Sequence, residues 1–274
     1  MRMLRVTAAL LVAPAFSADA SSQTPTFDAA SVKRRTESGG GSMGRQPGGR
    51  FTAQGVSLQD LIVFAYDIQP YQILDGPRWL ETDRWDVVAA GAPGTPADVL
   101  VALQQLLADR FSLDVRRETR EMPVYALVLA RSDGRLGPQL KRSTIDCAAV
   151  RTEAQRTGVI PPEARICRVQ GRIGSIEMGG SPIGEVTPLL STRLQRTVID
   201  RTGLTGPWEL TLTYTPEPSQ ISPGVLPAGT PPAFDPNGPS IFTAVQEQLG
   251  LKLESIRAPV EVLVIERAEF AREN

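Results

Sequence analysis

Two stretches of this chain repeat one another, and a repeat limits the possible folds more tightly than any composition. Residues 99–131 read VLVALQQLLADRFSLDVRRETREMPVYALVLAR, and residues 240–267 read SIFTAVQEQLGLKLESIRAPVEVLVIER. Ala102 aligns with Ala244, Gln104 with Gln246, Leu107 with Leu249, Pro123 with Pro259 and Arg131 with Arg267. Each stretch opens as a helix, since Val99, Leu103, Leu106 and Leu107 fall at helical spacing on one face. Thr95-Pro96-Ala97-Asp98 supplies an N-cap, a proline at the first helical position and an acid in the first turn. Gly250 stands where a C-terminal cap is needed. Beyond the helix, each stretch reads as a short alternating strand, a turn and a Pro-led strand.

The upstream parts correspond too. Ser57-Leu58-Gln59-Asp60-Leu61 opens a helix, and Pro182-Ile183-Gly184-Glu185-Val186 holds the same place in the second copy. Ile73-Leu74-Asp75 matches Val198-Ile199-Asp200, and Trp85-Asp86-Val87 matches Trp208-Glu209-Leu210. Each copy therefore reads strand, helix, strand, strand, helix, strand, strand. The expected fold class is α+β, internally duplicated, with mainly antiparallel sheets and helices packed on one face. The boundaries expected are a first repeat over 27–140, a connector over 141–172 and a second repeat over 173–274. The sequence leaves open whether the copies form two domains or share a sheet. Residues 36–49 read as a flexible loop before a strand at 50–54, and residues 216–239, with eight prolines and three glycines, as an extended surface loop.

The N-terminus has the three parts of a secretory signal peptide, expected over residues 1–20. Arg2 and Arg5 make a basic start, 6–16 is a short apolar run, and Ala18-Asp19-Ala20 gives a cleavage site. No later stretch is long and apolar enough to span a bilayer, so no integral membrane segment is expected after cleavage, and the place expected is periplasmic or extracellular. In such a compartment the two cysteines, Cys147 and Cys167, read as a disulfide staple. With 29 basic and 30 acidic side chains the net charge is −1, which gives no electrostatic reason to expect nucleic acid or an anionic membrane surface as partner.

The chain has no histidine. Ser-His-Asp and Cys-His catalysis and HExxH zinc sites are thereby excluded, and two cysteines alone do not make a four-ligand zinc site; no cofactor or metal is expected. Gly39-Gly40-Gly41-Ser42-Met43-Gly44 fits both G-x-G-x-x-G and G-x-S-x-G. No helix follows to receive a pyrophosphate and no base exists for the serine, so glycine-rich composition explains both. Glu81, Asp83 and Asp86 cluster as the carboxylates of a glycoside hydrolase would, although Asp86 lies on the solvent side of a strand whose Trp85 and Val87 point inward. Tyr66, Tyr71, Trp79 and Trp85, with Asp200, are the candidate binding residues. Core packing accounts for the aromatics equally well, and turn capping for Asp75 and Asp200.

The opening Phe27-Asp28-Ala29-Ala30-Ser31-Val32-Lys33, the GPRWLETDRWDV and VIDRTGLTGPWEL segments, and the stretch from QEQLGLKLESIRAPVEVLVIER to Asn274 resemble an exported family of unknown function, domain of unknown function 3738. The family is greatly expanded in acidobacteria. Some of its relatives join this module to a membrane metallopeptidase of the BlaR sensor type. The resemblance implies an extracytoplasmic sensing or interaction role, exerted here through a separate partner because this chain has no HExxH motif. It brings no catalytic residues. The expected function is a non-enzymatic envelope binding module for an envelope protein or peptide, with sheet edges able to accept a partner strand. Its rivals are a carbohydrate hydrolase working through carboxylates near Trp79 and Trp85, and a purely structural envelope protein.

Overall fold

The computed structural model describes residues 24–36, 41–91, 94–217 and 234–271. The signal-like segment, Gly39 and Gly40, and most of the Pro-rich loop lie outside them. The first half runs β1 (Ala29–Arg35), β2 (Ser42–Gln46), β3 (Arg50–Val56), α1 (Leu58–Tyr66), β4 (Ile73–Leu74), α2 (Trp79–Thr82), β5 (Arg84–Ala90), α3 (Pro96–Phe111) and β6 (Asp114–Leu129). The second runs β7 (Leu140–Arg142), α4 (Cys147–Thr157), β8 (Val169–Arg172), β9 (Ser175–Ser181), α5 (Thr187–Leu194), β10 (Val198–Asp200), β11 (Trp208–Thr213), α6 (Ile241–Leu249) and β12 (Leu251–Arg267). The fold is α+β with mainly antiparallel sheets.

Local chemistry sets the helix ends where the sequence places them. Ser57 and Thr95 each accept a hydrogen bond from the amide three residues on, and Asp60 and Asp98 reach back to close capping boxes. α6 ends at Gly250 in the left-handed conformation, φ 68°. The first sheet, in the order β1-β5-β3-β2, buries Val32, Phe51, Ala53, Trp85, Val87 and Ala89 against α1 and α3. Trp85 meets Phe111 of α3 edge-on at 4.9 Å. The third sheet, β7-β11-β9-β8, buries Ile176, Met178, Trp208, Leu210 and Leu212 against α5 and α6. Strands aligned in the two halves thus hold the same rank in the two outer sheets.

The middle sheet joins the halves, in the order β10-β6-β12-β4. β6 and β12 form a long antiparallel ladder, while β4 of the first half runs parallel to β12 and β10 of the second runs parallel to β6. The two halves therefore share one sheet and exchange their short strands across it. Met122 faces Ala258 at the centre of the ladder, with the pairs Pro123–Arg257 and Glu121–Pro259 on either side. The charges follow the same symmetry. Arg116 pairs with Glu118 at 2.6 Å, starting 122 − 116 = 6 residues before the centre, and Lys252 pairs with Glu254 at 2.7 Å, starting 258 − 252 = 6 before it. The match is not complete, because Val198 faces Tyr125 whereas Ile73 faces Leu263, two residues beyond the equivalent position.

Three expectations change. The turns expected before Pro123 and Pro259 do not exist, since both prolines lie inside uninterrupted strands. A central strand tolerates proline only where the missing N–H has no ladder partner. Tyr125 N donates to Thr197 O at 2.8 Å, so odd-numbered amides of β6 point toward β10, and Pro123 lies just before β10 begins. Glu261 O accepts from Gln72 Nε2 at 2.8 Å, which puts the odd positions of β12 on the β4 side, and Pro259 falls short of the β4 contact at Leu263. The loop expected over 36–49 contains β2, paired with β3 from Ser42–Gln54 to Gln46–Arg50. Residues 141–172 supply β8 and most of β7, so the third sheet is built partly from the segment read as a connector.

Candidate functional site

The outer face of the third sheet is polar because its strands alternate. On β11, Trp208, Leu210 and Leu212 are buried while Glu209, Thr211 and Thr213 face solvent. Lys141 of β7 lies opposite Glu209, Glu177 of β9 opposite Thr211, and Gln170 of β8 opposite Glu177. Gln170 Nε2 donates to Glu177 Oε2 at 2.7 Å, and Ser143 Oγ donates to Glu209 Oε1 at 2.6 Å. A row of charges and amides thus crosses all four strands.

A disulfide-clamped arm turns this face into a groove. Asp146 caps α4 by accepting from the amides of Ala148 and Ala149, and Cys147 bonds Cys167 with their Cα atoms 5.2 Å apart. Both feet of the arm stand on Gly179 and Gly180, at an irregularity in the β9–β11 pairing. A Cβ on Gly179 would lie 2.4 Å from Ile166 O, and one on Gly180 would lie 2.5 Å from Cys147 Sγ and 2.7 Å from Ile145 O. Gly180 also has a φ of +58°. Two glycines are what this close approach requires. Arg151 ties α4 to the body through Glu185 at 3.0 Å.

The resulting cavity of about 360 Å³ is lined by Lys141, Arg168, Gln170, Glu177 and Glu209, with Ile166 as its exposed apolar side chain. Cations, carboxylates and amides in one cleft can hydrogen-bond both donors and acceptors of a polar ligand, and Ile166 adds apolar contact area. Among the described residues, no group of three or more Cys, Asp or Glu side chains is placed to hold a metal ion.

The five residues singled out from sequence do not line this groove. Trp85 is 1% exposed, in the first core. Trp79 stacks on Phe270 at 4.5 Å, and Trp85 lies 6.4 Å from the same ring, so the two tryptophans meet through Phe270. Tyr66 ends α1, half-buried, with the Arg117 guanidinium 5.9 Å from its ring; burial raises its pKa and Arg117 partly offsets this. Tyr71 lies in a 3-10 turn with its hydroxyl 3.4 Å from Thr197 Oγ1, and burial raises its pKa as well. Asp200 accepts from Thr202 N at 2.9 Å and Thr202 Oγ1 at 2.8 Å, the geometry of a turn cap. Of the acids near Trp85, Asp83 accepts from Arg34 at 3.1 Å, and Asp86 accepts from Gly55 N at 2.7 Å and Arg35 at 3.4 Å. The groove residues escaped sequence reading, although the Gly179-Gly180 doublet was a usable signal of close approach.

The family model for a protein of unknown function (DUF3738) matches residues 59–268, and the chain belongs to that family. The match spans elements of all three sheets, including every strand that lines the groove. No curated protein and no solved structure matches the chain.

Proposed function

We propose that this member of the family is an exported, non-enzymatic binding module of the cell envelope, and that its ligand is an extended segment of an envelope protein or peptide. The observation that carries the reading is the groove between the disulfide arm and the third sheet. Its polar groups alternate at strand spacing, which suits a partner whose own groups repeat at that spacing. The cysteine bridge fits an oxidising compartment, and the signal-like N-terminus supports export. We read the two halves as copies of one ancestral unit, supported by the aligned segments and by the matching ranks of strands in the outer sheets. A sensing role, as the BlaR-type relatives suggest, would place the ligand here and the response in a separate partner.

The test is panning of a displayed random-peptide library against the disulfide-intact protein lacking residues 1–20. Enriched peptides should bind saturably, and Lys141→Ala with Glu177→Gln should weaken them by roughly tenfold or more, the loss expected from one or two charge-assisted hydrogen bonds. Failure to enrich peptides, or equal binding to the double variant, removes the groove as the binding site.

A further inference from the structure

The charges in the groove do not neutralise one another. Lys141 of β7 stands directly opposite Glu209 of β11, a place where unlike charges ordinarily pair. Among the described residues, however, Lys141, Glu177 and Glu209 form no ion pair. Glu209 is turned to the Ser143 hydroxyl instead, at 2.6 Å, and Glu177 accepts from the Gln170 amide at 2.7 Å. Both donors are neutral, so each carboxylate is held in place and keeps its charge.

The first half supplies an internal comparison. Asp86 is the residue aligned with Glu209, and Lys33 stands opposite it just as Lys141 stands opposite Glu209. There the acid is compensated, by the Arg35 guanidinium at 3.4 Å and by Gly55 N at 2.7 Å. Acids of the middle sheet also meet cations, Glu118 with Arg116 and Glu254 with Lys252. The uncompensated row belongs to the sheet that faces the arm. Arg168 brings a second cation to the arm side, so the lining holds two charges of each sign. A ligand lying over these groups takes them out of water, and a charge covered without a counter-charge is costly. A neutral segment, or one carrying a single sign, would leave charge of at least one sign in that condition.

We infer that the groove selects an extended segment bearing both an acidic and a basic side chain. The acid meets Lys141, and the base reaches the carboxylates of Glu177 and Glu209. This names the ligand class of the binding role proposed above and rests on it. Strand geometry sets the spacing. Glu177 lies opposite Thr211, two residues along β11 from Glu209, and on the far side of β11 from Lys141. Two strand spacings with that offset put Lys141 and Glu177 roughly 12 Å apart at Cα, while Glu209 lies roughly 5 Å from Lys141. Side chains on one face of an extended segment recur at every second residue, and four residues span about 13 Å. Acid and base are therefore expected an even number of positions apart, about two or four.

The experiment is parallel panning of one displayed random-peptide library against the disulfide-intact protein lacking residues 1–20 and against its Lys141→Glu variant, read by sequencing. Peptides enriched on the unaltered protein should pair an acid with a base at that even spacing about tenfold more often than the unselected library. On Lys141→Glu the acid should be replaced by a second base. Lys141 is exposed, so folding should survive. An unchanged unfolding midpoint checks this, and Lys141→Gln, which should lose only the preference for the acid, is the milder substitute. Enriched peptides without the paired charges, or the same acidic excess on Lys141→Glu, overturn the inference. If those peptides are still weakened by Lys141→Ala with Glu177→Gln, the groove keeps its binding role without this selectivity. Peptides indifferent to that double variant bind elsewhere, and both readings fall.

Discussion

Replacing Gly180 by alanine tests the account of the arm more sharply than breaking the disulfide, because a control residue isolates the contact. Gly134 has a φ of +71° and nothing within 4 Å of a built Cβ, so Gly134→Ala carries the left-handed cost alone. That cost is roughly 1–2 kcal/mol, reduced by about 0.4–1 kcal/mol through the stiffer unfolded chain, leaving about 1 kcal/mol. Gly180→Ala carries the same cost and also drives a methyl to 2.5 Å from Cys147 Sγ and 2.7 Å from Ile145 O. Neither neighbour is the free end of a flexible side chain. Overpacking of this kind adds about 1–3 kcal/mol, so Gly180→Ala should cost about 2–4 kcal/mol. The assay is urea unfolding of the oxidised proteins followed by tryptophan fluorescence. Trp208 reports directly, since it pairs with Ser181 beside the bulge. The midpoint should fall much further for Gly180→Ala than for Gly134→Ala, with the denaturant slope unchanged in both. Losses equal to within about 0.5 kcal/mol would refute the close approach of the arm to β9.

Three further outcomes are expected. Replacing Cys147 and Cys167 together by alanine should cost about 3 kcal/mol by the chain-entropy argument for a loop of this length, measured as the change in unfolding free energy; no loss would mean that the arm unfolds separately from the body. Ser112 ends α3 with φ 48°, where the aligned α6 has Gly250, so Ser112→Gly should raise stability by about 0.5 kcal/mol, and a fall in the thermal midpoint would contradict this. Arg120 and Arg116 hold the Glu118 carboxyl at about 2, against 4.5 ordinarily. Because its folded pKa is depressed, the stability it contributes is present above the unfolded value and is lost as pH falls from about 4.5 toward about 2. Glu118→Gln should flatten that part of a stability profile recorded at low ionic strength, and an identical profile would sink the assignment.

What could be read from sequence was what local chemistry decides. Thr95-Pro96-Ala97-Asp98 and Gly250 fix helix ends through bonds within a few residues, and they sit where expected. The alternation at Trp85-Asp86-Val87 also held, because a strand buried on one face signs itself at period two. Pro123 and Pro259 misled for a definable reason. Whether a missing N–H matters depends on which side of the ladder it faces, and that is set by β10 and β4, far away in sequence. β2 was hidden by Gly44 and the glycines that flank it, and its strand character comes from pairing with β3 rather than from propensity. The groove was illegible because its residues come from four strands whose order no local pattern encodes. Of the four aromatics read from sequence as binding candidates, Trp85 lies in the first core, and Tyr66, Tyr71 and Trp79 are partly buried away from the groove.

The exchange of short strands across the middle sheet has a consequence for how the chain is made. β6 is complete at Leu129, but the strand that covers its long edge begins only at Leu251, and β4, complete at Leu74, waits longer still for β12. During synthesis, a strand of 16 residues whose later half is apolar has emerged well before its partner exists. Contacts this distant make folding slow and leave the edge open to pairing with another chain. The first half is therefore expected to need holding in an unfolded state until β12 arrives, and both lobes should then lock in a single late step. A chain truncated before β12 should aggregate rather than persist as half a protein, which ties the quality control of both halves to that one strand.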